Sequence, residues 1–184
     1  MARVTGPQTV RDLLTAGYDI LADEGLAKLT LDGVVARTNV TKGALIHHFR
    51  SKDELARRLM HDAIEQFDQL VDEIRGDDQS AGSYTRAYLK AAIASPRRGA
   101  QRRILAAIGE LSRYRGLSLE FRKATRRWSQ KIENDGLNPA RAQIVRLAAD
   151  GLWANDVSEQ GVLSSETRRL VIDELLRLAQ PSPR

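Results

Sequence analysis

The sequence predicts an all-α protein of about nine helices. Apolar residues recur at spacings of three or four along the chain, and no segment shows the alternation typical of a β-strand. The 13 glycines and 5 prolines among 184 residues fall mostly between these apolar runs, where helices end. With 42% hydrophobic and 29% charged residues, the composition is that of a globular protein with a buried core. The length allows one large domain, or a small module attached to a larger body.

The composition also excludes several classes of protein. The absence of cysteine excludes disulfides, thiolate metal sites and a cysteine nucleophile, and it fits a reducing cytoplasm. The N-terminal run MARVTGPQTVRDLL has no uninterrupted apolar core long enough for a signal peptide, and no run of about 18 apolar residues occurs. We therefore expect neither a signal peptide nor a membrane span. The three histidines, His47, His48 and His61, are accompanied by no glycine-rich phosphate loop and no motif with catalytic spacing. We therefore expect a cytoplasmic protein that is not an enzyme, with no cofactor, no metal and no membrane partner.

The first predicted helix spans about 8–24 and ends before Gly25. Its apolar stripe keeps helical spacing through Val10, Leu13, Leu14, Gly17 and Leu21. A short second helix begins after Thr30, because a threonine hydroxyl suits the N-cap position, and it runs to about Thr38.

The third predicted helix, Lys42–His47, follows a tight turn and has Thr41 as its N-cap. Leu45 faces inward, whereas the small residues Gly43 and Ala44 lie mainly outside. Two short helices joined by a tight turn form the helix-turn-helix layout, in which the later helix enters the DNA major groove. Small outward side chains let its backbone come close to the base edges.

A long fourth helix begins at the capping box Ser51–Glu54 and runs to Arg75. About 24 residues give roughly 36 Å of helix, long enough to join two bodies. The segment 77–83 is the best candidate for a flexible linker. Further helices are predicted near 83–94, 98–114, 118–134, 139–158 and 165–179.

The charge distribution favours an anionic partner such as nucleic acid. Lysine and arginine number 29 against 24 acidic residues, a net charge of +5. From residue 37 to residue 52 there is no acid, and four basic residues occur: Arg37, Lys42, Arg50 and Lys52. The positive charge is therefore concentrated around the third helix.

Residues 29–55, LTLDGVVARTNVTKGALIHHFRSKDEL, resemble the N-terminal module of the tetracycline-repressor (TetR) family of transcriptional regulators. The shared pattern consists of Thr30, the VTKGAL run at 40–45, His48–Phe49 and the SKDEL run at 51–55. The resemblance implies a helix-turn-helix DNA-binding domain over 1–51. It also implies a helical regulatory and dimerisation domain over 52–184.

The sequence departs from the family pattern at two places. Asn39 lies where the family usually has glycine, and asparagine tolerates the left-handed backbone that such a turn often needs. Ile46 and His47 replace a segment that commonly carries a tyrosine used on DNA phosphate. His47 must therefore supply this phosphate contact, or the contact is lost.

Eight residues are candidates for DNA binding: Thr30, Arg37, Thr41, Lys42, Gly43, Ala44, His47 and Lys52. Thr30 and Thr41 can bond to phosphates or merely cap their helices. Lys42 can donate to guanine edges or phosphate, or be a solvated surface lysine. Lys52 lies at the positive end of the long helix, where a nearby phosphate would compensate its charge.

In the body, seven residues are candidates for the ligand cavity that the resemblance implies: Phe67, Tyr88, Ile104, Ile108, Phe121, Trp128 and Trp153. Ordinary core packing is the alternative for each of them. Between Arg97 and Lys131 there are eleven basic residues against two acids. This excess either forms a solvated face that balances the acidic stretch 62–78, or attracts an anionic effector.

The last two predicted helices carry more apolar residues than one edge of a subunit needs: Ala142, Val145, Ala149, Leu152, Val171, Leu175 and Leu178. A four-helix bundle built from two helices of each subunit buries such residues. It would hold two third helices about 34 Å or more apart, the spacing of successive major grooves. We therefore expect a homodimer.

Together these features predict a dimeric DNA-binding transcriptional regulator, specifically a repressor of a palindromic double-stranded operator that a small-molecule effector releases. The main alternative is a DNA-binding dimer whose body docks a protein partner or is purely structural, with no small-molecule ligand. A cavity among the aromatic residues distinguishes the two hypotheses. An enzyme has no support in the sequence.

Overall fold

The computed structural model describes residues 6–93, 100–114, 116–157 and 163–181. Over these ranges it contains nine α-helices, one 3₁₀ turn and no strand, which confirms the predicted all-α fold. None of the helices in these ranges is long and apolar enough to cross a membrane. The helices are α1 (Pro7–Asp23), α2 (Leu31–Val35), α3 (Lys42–His48), α4 (Lys52–Arg75), α5 (Ser83–Ile93), α6 (Ala100–Ser112), α7 (Ser118–Glu133), α8 (Pro139–Val157) and α9 (Ser165–Leu178), with the 3₁₀ turn at Leu26–Lys28.

The chain divides into two compact units. The first comprises Met1–Ile64 and Arg102–Phe121, and the second comprises Glu65–Gln101 and Arg122–Arg184. Helices α4, α6 and α7 each contribute residues to both units. The start of α4 and the segment 102–121 thus belong to the same compact unit as the helix-turn-helix. The domain boundary at residue 51 stays a prediction.

The two short helices of the first unit begin at the predicted threonine caps. Thr30 Oγ1 accepts a hydrogen bond from Gly33 N at 2.9 Å, and Thr41 Oγ1 accepts one from Ala44 N at 3.3 Å. Each cap satisfies one of the amides that have no partner in the first turn of a helix. The caps thus set where α2 and α3 start.

The start of α4 differs slightly from a standard capping box. Ser51 Oγ accepts from Glu54 N at 3.2 Å, as predicted. Glu54 Oε2 accepts from the amide of Arg50 at 2.8 Å, one residue before the expected Ser51 amide. The reciprocal bond therefore also holds the residue that precedes the cap.

The core of the first unit packs α1 closely against α4. Gly17 is buried, and a Cβ built on it would lie 2.9 Å from Leu59 Cδ1. Leu45 and Phe49, predicted to hold α3 in place, are buried as expected. The largest fully buried side chains of this unit include Leu13, Ile20, Leu29, Leu45, Leu55 and Leu59.

In the second unit, α5 packs against α8 and α9. The junction before α5 is held by Arg86, which donates to the carbonyl oxygens of Ala81 and Ala179, both at 2.9 Å, and pairs with Asp78 at 2.8 Å. Gly82 has φ +81°, and a Cβ on it would lie 2.4 Å from Ala179 O. Glycine is therefore required here both by conformation and by space.

Candidate nucleic-acid interface

The outward face of α3 combines a bare backbone with polar side chains. Lys42, Gly43 and His47 are exposed. A Cβ added to Gly43 would meet no atom within 4 Å. Ala44, which was predicted to lie mainly outside, is half-buried and therefore less exposed than expected. The open part of this surface therefore centres on Gly43, where another molecule can reach the helix backbone.

Lys42 has a partner that the sequence did not indicate. Its Nζ lies 2.8 Å from Asp32 Oδ1, and the two side chains are 61% and 75% exposed. Asp32 belongs to α2, so the pair connects the starts of the two short helices. An exposed pair of this kind contributes little stability and leaves the lysine able to exchange partners.

Arg37 and His47 lie at different parts of the module. Arg37 is exposed, forms an ion pair with Glu24, and donates to the Gly33 carbonyl oxygen at 3.3 Å. His47 is exposed, and its ring lies 5.4 Å from that of the half-buried His48 in an edge-to-face arrangement. Within the described residues, no group of histidine, aspartate or glutamate side chains is arranged to hold a metal.

Lys52, a candidate phosphate contact, is half-buried and bonded inside the first unit. Its Nζ donates to the carbonyl oxygen of Leu26 at 3.1 Å and lies 5.8 Å from the centre of the Tyr114 ring. The neighbouring Asp53 accepts a hydrogen bond from Tyr114 Oη, and this bond raises the pKa of Tyr114. A phosphate would have to share the Lys52 ammonium group with these intramolecular contacts.

The 3₁₀ turn is held from the other side by α6. Glu110 Oε2 accepts from the amide of Leu26 at 2.9 Å. Arg103, also on α6, pairs with Asp19 of α1 at 2.8 Å. No sequence pattern indicates this role of Glu110, which is one of two acidic residues among eleven basic ones between Arg97 and Lys131.

Aromatic side chains form a buried cluster in the second unit. The Phe67 ring centre lies 5.4 Å from that of Tyr88 and 4.9 Å from that of Trp128, in edge-to-face contacts. Trp128 Nε1 donates to Asp68 Oδ1 at 2.6 Å. This cluster unites three of the seven predicted cavity residues, Phe67, Tyr88 and Trp128.

The other predicted cavity residues are divided between the two units. Trp153 is half-buried in the second unit, and Ile104, Ile108 and Phe121 belong to the first. Ile104 and Ile108 are buried.

Tyr84 Oη and Trp153 Nε1 are buried polar atoms of the second unit that have no hydrogen-bond partner among the described residues. Burial raises the pKa of Tyr84, and the charges of Asp68 and Asp72 raise it further. The Tyr84 hydroxyl is therefore protonated at neutral pH and able to donate. By contrast, Tyr88 Oη donates to Asp150 Oδ1 at 2.7 Å.

The predicted dimer residues lie mostly inside the subunit. Ala142, Val145 and Ala149 are fully buried, Leu152 and Leu175 are buried, and Val171 and Leu178 are half-buried. Besides Pro139 at its start, the exposed positions of α8 among the residues whose burial is described are Ala140, Ile144, Leu147, Gly151 and Ala154. Ile144 is 56% exposed and Leu147 59%, and on α9 Leu170 is 54% exposed. Five of the seven residues thus belong to the core of the subunit, and other apolar side chains of α8 and α9 face outward.

The positive charge of the basic stretch between Arg97 and Lys131 is partly neutralised by acidic residues of the same chain. Arg103 pairs with Asp19 and Arg127 with Asp68. Three more cations, Arg122, Lys123 and Arg126, are exposed on α7. Arg97, Arg98 and Arg115 lie outside the described residues.

Comparison with known proteins covers both regions of the chain. The family described as "Bacterial regulatory proteins, tetR family" matches residues 13–59. The family described as "Tetracyclin repressor-like, C-terminal domain" matches residues 82–180, more than half of the chain. No curated protein matches.

Several solved structures share the fold. A TetR-family regulator from Rhodococcus sp. has a TM-score of 0.73 at 17% identity, covering 94% of this chain and 98% of that one. A TetR-family regulator from Streptomyces coelicolor has a TM-score of 0.70 at 22% identity, covering 94% and 97%. The multidrug binding protein EbrR, complexed with malachite green, has a TM-score of 0.63 at 17% identity, covering 94% and 98%. Since the family matches account for the N-terminal module and most of the body, the chain belongs to the TetR family of DNA-binding transcriptional regulators, which are not enzymes.

Proposed function

We propose that this protein is a homodimeric repressor of a palindromic operator, which it releases when a small molecule binds its body. The observation that best supports a DNA-binding surface on α3 is the open backbone at Gly43, with the exposed side chains of Lys42 and His47 nearby. Such a face lets α3 enter the major groove closely enough for Lys42 to reach base edges. The partner is DNA, so we infer that the protein acts in the cytoplasm.

The exposed stripe of α8 supports the dimer. Ala140, Ile144, Leu147, Gly151 and Ala154 follow alternating spacings of four and three, which places them along one side of the helix. Gly151 and Ala154 are small enough to let a second helix approach closely. We therefore replace the interface residues expected from the sequence with this stripe, together with Leu170 on α9. Pairing with a second copy would remove these side chains from water.

The Tyr84 hydroxyl, which has no hydrogen-bond partner within the part of the chain that the structure describes, supports an effector. A buried hydroxyl without an acceptor costs free energy, and a ligand that supplied the acceptor would recover it. The aromatic cluster of Phe67, Tyr88 and Trp128 would offer the apolar surface that small-molecule sites usually have. EbrR, a structural relative, is a multidrug binding protein complexed with malachite green.

A ligand acts on DNA binding only if it prefers one conformation of the protein. Helices α4 and α6 contribute residues to both units, and in the first unit they hold Leu26 through Lys52 and Glu110. We propose that effector binding displaces these helices and, through the two contacts, the 3₁₀ turn before α2. The spacing of the two α3 helices in the dimer would then no longer match the spacing of the operator half-sites.

One observation favours the alternative of a body without a ligand. The three rings of the aromatic cluster have centres 4.9 to 6.0 Å apart, the contact distance of a packed core. In that case the protein would still bind DNA as a dimer, and the body would dock a protein partner or only dimerise. A ligand that binds the purified dimer and weakens its operator binding would decide against this alternative.

The proposal is tested by selecting DNA from a random pool with the purified full chain and measuring the binding of the selected sequence. We expect a palindrome bound by two subunits, with affinity that falls steeply as salt increases. Lys42→Ala should change the preferred base at one position of each half-site, not merely lower the affinity. Monomeric binding without sequence preference would contradict the proposed function.

A further inference from the structure

Ile46 is a large apolar side chain exposed to water on α3. It is 45% exposed, and among the described residues before residue 65 no other large hydrophobic side chain is exposed. It lies three residues after Gly43 and four after Lys42, so all three residues share one face of the helix. The packing of the first unit leaves 45% of this residue's surface uncovered.

The surroundings of Ile46 indicate what covers it. Lys42, His47 and Arg50 are exposed, so the isoleucine projects from a polar and basic surface. A protein interface needs an apolar patch of several side chains, which this surface lacks. Polyanionic DNA fits the charge of the surface, and the base edges of the major groove carry one apolar group, the C5-methyl of thymine.

We propose that Ile46 is a specificity-determining residue that contacts the C5-methyl group of one thymine in each operator half-site. The inference rests on the proposed entry of α3 into the major groove. Because Gly43 has no side chain, the helix backbone one turn before Ile46 can lie close to the base edges. The side chain of Ile46 then reaches the base edges as well. The isoleucine thus selects thymine by apolar contact, whereas Lys42 selects by hydrogen bonding.

The test removes the methyl group alone. In the operator selected by the full chain, each thymine of the half-site is replaced in turn, symmetrically in both half-sites, by deoxyuridine. At one position we expect wild-type binding to weaken about fourfold per half-site, as for the loss of one buried methyl group. The Ile46→Ala variant should bind the original operator more weakly and lose this sensitivity to deoxyuridine at that position alone.

Two further variants provide controls. Ile46→Val keeps most of the apolar contact and should retain most of the deoxyuridine effect. Lys42→Ala should weaken binding but keep that effect, because it leaves the isoleucine in place. Thermal unfolding should change only slightly in Ile46→Ala, because 45% of the residue's surface is already exposed to water.

The outcomes separate this inference from the proposed function. If a palindromic operator is selected but Ile46→Ala shows the same deoxyuridine effects as the wild type, the inference is wrong and the proposed function stands. If no thymine position responds in the wild type, the inference is also wrong. If no sequence is selected at all, the proposed function fails and the inference fails with it.

Discussion

Glu110 accepts a hydrogen bond from the backbone amide of Leu26 at 2.9 Å, across 84 positions of the sequence. The carbonyl of the same Leu26 accepts from Lys52 at 3.1 Å. One residue of the 3₁₀ turn is therefore held at both of its backbone polar groups, by α6 and by α4. The turn precedes α2, so these two contacts position the helix-turn-helix from outside it.

Replacing Glu110 with alanine should destabilise the protein. The substitution leaves the Leu26 amide without its acceptor, and the loss of a hydrogen bond to a partly exposed charged group costs about 1 to 2 kcal/mol. The measurement is the free energy of unfolding in urea. Glu110→Gln is the matched control, since it keeps an acceptor oxygen and should lose less. Equal stability of the alanine variant and the wild type would show that the contact is unimportant.

Replacing Gly43 with alanine should lower the affinity for the operator without lowering the stability of the fold. Nothing lies within 4 Å of the added methyl group, and alanine favours a helix over glycine by up to about 1 kcal/mol. Stability should therefore be unchanged or slightly higher, while operator affinity falls because the methyl group holds the backbone away from the bases.

Gly17→Ala provides the contrast for this prediction. Its added methyl group would lie 2.9 Å from Leu59 Cδ1, so this variant should lose stability. Both properties are followed by thermal unfolding and by fluorescence anisotropy with labelled operator. Full operator affinity in Gly43→Ala would contradict the proposal that the outward face of α3 binds DNA.

Replacing Leu147 with glutamate should convert the proposed dimer to a monomer. Leu147 is 59% exposed, so the subunit itself should tolerate the change, whereas an interface would bury the new charge without a partner. Sedimentation velocity measures the oligomeric state. Leu119→Glu, at a site 48% exposed outside the proposed stripe, is the matched control and should remain dimeric. A dimeric Leu147→Glu variant would locate the interface elsewhere.

Replacing Tyr84 with phenylalanine should stabilise the ligand-free protein by about 1 kcal/mol, because it removes a buried hydroxyl that has no partner among the described residues. The same substitution should weaken binding of an effector that uses this hydroxyl. Unfolding in urea measures the first effect and calorimetric titration of a ligand the second.

Tyr88→Phe is the matched control for Tyr84→Phe. It removes a hydroxyl that donates to Asp150 at 2.7 Å, so it should destabilise the protein. Loss of stability in both variants would mean that the Tyr84 hydroxyl has a favourable role in the ligand-free protein.

Local sequence signals were sufficient to predict the helices and their starts. Thr30, Thr41 and Ser51 cap helices as predicted, because a cap depends on residues only three positions apart. The motif at 40–45 likewise indicated α3, and the TetR family model matches residues 13–59 around it. The 3₁₀ turn was missed because three residues carry too little periodicity to be recognised.

The sequence by itself determined an all-α chain with a helix-turn-helix at its start, since caps, spacing and charge are local properties. Only the tertiary structure decided which apolar side of α8 is core. Val145 and Ile144 are neighbours in sequence and equally apolar, yet one is fully buried and the other is 56% exposed. It also decided the partners of Lys42, Lys52 and Glu110. Such pairings depend on how helices distant in sequence pack together, and helical periodicity does not specify that.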